Sequence, residues 1–117
     1  MTGNPTDRDA ARPYTVRRRE PILDTGEVRV TQFTLDAGQC VPWHHHTVIS
    51  DTFVCIEGPM QVLTSEPPDK RVLAAGERTT VGPGVPHRVS GLDDAACRFV
   101  IVQGVGRYDY IPSPEPE

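Results

Sequence analysis

The sequence has no apolar run approaching the roughly 20 residues that a membrane-crossing helix requires, and no membrane partner is expected. Its amino end, MTGNPTDRDAAR, lacks an apolar stretch, so no secretory signal is expected either. Basic residues are few: 12 Lys and Arg stand against 16 Asp and Glu, a formal charge of -4. A basic face able to neutralise phosphates is therefore missing, and no nucleic-acid partner is expected. Cysteine is scarce and odd in number, with Cys40, Cys55 and Cys97 and no CxxC. That excludes a disulfide framework and reads as small buried hydrophobes in a reducing, cytoplasmic setting. No window places apolar residues at i, i+3, i+4 and i+7, so neither a helix nor a coiled coil is predicted.

Turns and short strands are what the chain does have. Its 117 residues suffice for one domain. Proline-containing polar ends bound it, and flexible tails are expected over 1–13 and 112–117, with a folded unit over 14–111. Within that unit, DTG, DAG, EGP, EPPD, AGE, GPG and GLDD arrive mostly at intervals of about 8 to 12 residues. Between them lie segments rich in Val, Thr, Phe and Ile: EVRVTQFTL, TFVCI, MQVLT, RTTV, HRVS and CRFVIVQ. This pattern predicts an all-β antiparallel barrel, closed enough to remove sheet edges and roomy enough for one small ligand.

The four histidines fall in two places: His44, His45 and His46 in a row, and His87 after the stiff PGVP turn. Alternation along a strand puts His44 and His46 on one face and His45 on the other. Downstream, Asp51 shares a strand face with Phe53 and Cys55. A carboxylate among core residues needs a partner, and a cation suits it. A cluster of imidazoles with a carboxylate thus predicts a bound metal. Asp51 has three possible places here: direct ligand, partner of a ligand imidazole or bound water, or cap of its turn.

These residues resemble the two motifs of the small single-domain cupins. The first motif, G-x5-H-x-H-x(3,4)-E-x6-G, is matched by Gly38, His44, His46, Asp51 and Gly58, with Asp in place of Glu. The second, G-x5-P-x-G-x2-H-x3-N, is matched by Gly76, Gly84 and His87, with Pro83 one place late and Gly91 in the Asn position. The resemblance implies an antiparallel jelly-roll β-barrel (cupin) and a homodimer. It also implies one divalent transition metal ion per chain (Fe, Mn, Ni, Cu or Zn) on His44, His46, His87 and Asp51. Asp51 is then also the candidate catalytic carboxylate.

Phe53 and Cys55, on the face of Asp51, are candidate substrate-binding residues, and Phe33, Leu35 and Phe99 are expected core. Cys40 is expected on the face of His44, and Trp43 on the opposite one. Tyr108 and Tyr110 are expected to cover a barrel end, and Arg17, Arg18 and Arg19 to form a solvated face. Gln32, Gln61 and Gln103 lie on strands with their facing open. Two functions compete. One is a mononuclear metalloenzyme acting on a small organic molecule, by dioxygenase-type or Lewis-acid isomerase, lyase or cyclase chemistry. The other is a non-catalytic module that binds a sugar or organic acid.

Overall fold

Every second residue of the central strands is buried, and that alternation decides the architecture. The computed structural model describes residues 14–116, so the expected tail over 1–13 lies outside the described residues. The strands are β1 (Arg18–Asp24), β2 (Arg29–Leu35), β3 (Cys40–His45), β4 (Ser50–Glu57), β5 (Met60–Thr64), β6 (Asp69–Leu73), β7 (Arg78–Val81), β8 (His87–Gly91), β9 (Cys97–Gly104) and β10 (Ile111–Pro112). A 3-10 turn, Leu92–Asp94, joins β8 to β9, and there is no α-helix among the described residues. The strands form two five-stranded sheets, ordered β1-β2-β9-β4-β7 and β10-β3-β8-β5-β6. All their pairings are antiparallel. The antiparallel all-β architecture is the one the turn spacing predicts, and the jelly-roll is the one the cupin resemblance implies.

Both sheets contribute to the core. Leu35, Phe53 and Phe99 come from one, Met60, Val62 and Val89 from the other, and none is more than 1% exposed. Each such side chain stabilises the fold by roughly 1.5–3 kcal/mol through burial. Phe33 and Phe99 pair across β2 and β9 with stacked rings 5.4 Å apart. The apolar filling gives way toward one end of the barrel. There the buried residues are polar: Arg29 opens β2, Asp51 lies at the start of β4, His87 opens β8 and Gln103 lies near the end of β9.

Two sequence expectations change here. The register of β3 against β8 shifts between Val41 and His44. A bulge there reverses the side-chain parity, so Val41 is buried at 7% and Cys40 is only half-buried, off the face of His44. The chain also continues its pairing past residue 111, where the tail was expected to begin. Pro112 pairs with His44, and the Ser113 N–H donates to the Trp43 carbonyl at 3.0 Å.

Candidate metal centre

Three strand ends bring the polar cluster together. His44 lies in β3 and His46 just beyond it, Asp51 is the second residue of β4 and His87 starts β8. The GPG turn is tied to the histidine loop, because the Gly84 N–H donates to the His46 carbonyl at 2.7 Å. Gly84 has φ +78, a left-handed conformation that glycine adopts without a Cβ clash. His44, His46, Asp51 and His87 are all buried, between 0% and 3% exposed. Their ligating atoms lie within 4.8 Å of one another. His45 points away, as alternation predicts, and its Nδ1 meets Ser113 Oγ at 2.8 Å.

Each inward imidazole is pinned through Nδ1 to a backbone carbonyl. His44 donates to Pro42 at 2.8 Å, His87 to Val85 at 2.9 Å, and His46 to Asp109. A carbonyl can only accept, so the proton of a neutral ring sits on Nδ1 and the lone pair on Nε2. Two of those Nε2 atoms face one oxygen: Asp51 Oδ2 lies 2.9 Å from His46 and 2.8 Å from His87. Lone pairs against a carboxylate repel unless protons or a cation lie among them. A second proton on these rings, or a bound cation, supplies the charge that the contact requires.

The titration behaviour has the same origin. Burial disfavours charge on His46, but the Asp51 hydrogen bond and charge, helped by the Asp109 carbonyl, outweigh it and raise its pKa. Burial likewise disfavours the Asp51 carboxylate, yet hydrogen bonds from His46 and His87 hold it well below the usual carboxylate range. His44 gains less from Asp51; burial, then the neighbouring His87, drive it down to about 3. Its Nε2 carries a lone pair at neutral pH.

These residues fit a divalent transition-metal ion, which three imidazole nitrogens and one carboxylate oxygen suit. Atoms bound at right angles to one ion at about 2.1 Å stand about 3 Å apart, close to the Asp51 contacts. The methylene that Asp lacks relative to Glu leaves no gap, since Oδ2 already sits between two imidazoles. Its other oxygen, Oδ1, accepts from Gln103 Nε2 at 3.0 Å. Gln103 is thus the inward member of its trio. Gln32 bonds Glu20 at 3.3 Å and Gln61 bonds Ser90 at 3.1 Å, both half-buried.

A cavity of about 660 Å³, counted out to its open mouth, reaches the cluster. His44, His46 and Asp51 line it, and His87 does not. Phe53 lines it as well. Cys55 does not: four residues along β4 from Asp51, it is packed in the apolar core, where burial raises its thiol pKa. Tyr110 stacks on His44 with centroids 4.7 Å apart, and Tyr108 lies 5.5 Å from His46, so both close the barrel end. The basic run divides. Arg17 and Arg18 are exposed and pair with Asp36 and Glu20. Arg19 turns inward over the Tyr14 and Phe33 rings, because alternation on β1 sends it to the other face.

Two participants escaped the sequence reading. Asp109 acts through its backbone carbonyl, which no side-chain pattern reports. Arg29 shares the parity of Phe33 and Leu35 on β2, and that parity was the signal available.

No family model matches the chain, and no curated protein does. Solved structures do. A double-stranded β-helix protein from Klebsiella pneumoniae matches with TM-score 0.70 and 24% identity, over 86% of this chain and 91% of that one. A cupin-2 domain-containing protein from Shewanella frigidimarina matches with TM-score 0.63 and 19% identity, over 86% and 92%. An oxalate oxidase matches with TM-score 0.67 and 18% identity over 78% of this chain, which spans 48% of that protein. The fold is a double-stranded β-helix. More particularly, the chain has the small-cupin fold, with a buried His-His-Asp-His cluster whose composition is compatible with metal binding.

Proposed function

We propose that this protein is a mononuclear metalloenzyme acting on a small organic molecule held in the barrel mouth. His44, His46, His87 and Asp51 hold one divalent transition metal ion. One observation carries the reading: three imidazoles, each pinned through Nδ1, and the Asp51 carboxylate bring their ligating atoms within 4.8 Å of one another in a buried cluster. A structural metal site closes its ion off on every side, whereas this cluster presents three of its members to a cavity. The oxalate oxidase neighbour shows that the fold hosts oxidative chemistry, while the cluster equally suits Lewis-acid work.

A metal bound here would polarise a carbonyl or hydroxyl oxygen of the substrate and, as iron or manganese, would supply redox capacity. The chain's own residues do the rest. Asp51 contributes a full negative charge, held by Gln103. Tyr108 and Tyr110 cover the histidines and exclude water. Phe53 and Phe33 give the substrate an apolar wall.

Reconstitution with iron, manganese, nickel, copper or zinc, followed by a turnover screen with an oxygen electrode and proton NMR, tests the reading. Turnover that depends on metal and disappears in His44→Ala is expected. A metal-loaded protein that binds small molecules and turns none over contradicts the enzyme and leaves the binding module.

A further inference from the structure

The wall beside the cluster carries a second charged group. Arg29 on β2 pairs with Gln103 on β9, and Gln103 pairs with Asp51 on β4, so the three form one row across adjacent strands. All face inward, at 7%, 7% and 0% exposure. Two strand spacings put the Arg29 backbone about 10 Å from that of Asp51. Tyr108 fixes the guanidinium: its central carbon sits 3.7 Å over the ring, whose centroid is 5.5 Å from that of His46. A permanently charged planar fork is therefore held one aromatic ring away from a cluster histidine, on the wall of the same cavity.

The rest of the wall selects further. Phe33, Phe53, Phe99, Val89 and Ile101 line the space around these polar groups. Asp24 sits 3.8 Å from the Arg29 Nε edge, 40% exposed, and steadies the fork. An anion entering this space meets a guanidinium already largely desolvated and oriented, so little further ordering is lost on binding. Planar carboxylates match the fork with two parallel hydrogen bonds.

We propose that Arg29 anchors an anionic group of the ligand. The molecule this pocket takes is a short organic acid, with one end on Arg29 and the other toward His44, His46 and Asp51. The assignment rests on the metal-centre reading for its second end only.

Malonate, succinate and glutarate titrated calorimetrically into protein carrying its own metal test this, with metal content measured on the same samples. Succinamide serves as the uncharged analogue of succinate. At least one diacid should bind, the amide should not, and Arg29→Met should weaken diacid binding about tenfold or more with metal content unchanged. Arg29→Lys, which keeps the charge and loses the fork, guards against misfolding and should fall between. Arg17→Gln, on an exposed pair with Asp36, should leave binding unchanged. Equal binding by wild type and both Arg29 variants overturns the anchor, and failure of all three diacids overturns the ligand class. Absence of metal overturns the metal centre alone, since diacid binding that still depends on Arg29 upholds the anchor.

Discussion

Oδ2 of Asp51 lies 2.9 Å from Nε2 of His46, at the start of β4 and just past the end of β3, and the opposite nitrogen of that ring is held by the Asp109 carbonyl. A ring held at both nitrogens by acceptors must carry two protons or share a cation. The charge on Asp51 is what a bound cation would answer.

Asp51→Asn should therefore weaken metal retention while leaving the fold intact. The amide keeps the shape and loses the charge, so the loss should exceed the roughly 10–100-fold that outer partners of metal ligands contribute. Competition with a chelator, followed by metal analysis, reads it. Unchanged retention places Asp51 outside the ligand set.

Gln103→Leu removes the hydrogen bond that Gln103 Nε2 donates to Asp51 Oδ1. Metal affinity should fall by about 10–100-fold. The metal-free protein should lose about 1–3 kcal/mol, because a buried charged acceptor is left unmatched. Chelator competition and urea unfolding measure the two effects separately.

Acid should destabilise the metal-free protein in a defined window. His44 is driven by burial and by His87 to about 3 from an ordinary 6.5. The unfolded chain binds this proton below 6.5 and the folded one only near 3, so stability present above 6.5 drains away as pH falls toward 3. The slope from this group is at most about 1.4 kcal/mol per pH unit. Asp51, depressed by its histidine partners, adds a further loss below its unfolded value of 3.8. His46 works the other way: its raised pKa contributes stability below 6.5 that is lost as pH rises through the folded value. Thermal unfolding with chelator across pH 3 to 8 checks the sum. In His44→Gln the loss between pH 6.5 and about 3 should shrink.

The segment after Gly106 should act as a strap over the centre. The Asp109 carboxylate accepts from the Thr47 N–H at 2.9 Å and from its hydroxyl, while its carbonyl orients His46. Asp109→Ala keeps the carbonyl but releases the strap, and metal release to a chelator should quicken about tenfold. Stopped-flow mixing with a chromogenic chelator reads this directly. An unchanged rate means Thr47 does not hold the strap in place.

The buried cluster was legible because its chemistry is carried by side chains at fixed spacing: His44, His46, Asp51 and His87 are where two motifs put them. Strand parity also placed Phe53 and Asp51 on one inward face. Parity failed at Cys40, because a bulge between Val41 and His44 reverses it; Pro42, a residue that strands confine to edges and bulges, was the signal available. Parity went unused at Arg29, whose charge suggests solvent although its neighbours Thr31, Phe33 and Leu35 face inward. Backbone acceptors such as Pro42, Val85 and Asp109 leave no trace in sequence. They are set by where the chain passes, and they decide which nitrogen of each ring faces the cavity.

The measurement that tests the metal centre most directly is elemental analysis of untagged protein, beside His44→Ala and His87→Ala purified in the same way. About one equivalent of a single divalent transition metal per chain, lost in both variants, is expected. Wild-type protein that is folded yet metal-free after growth with all these metals supplied contradicts the centre.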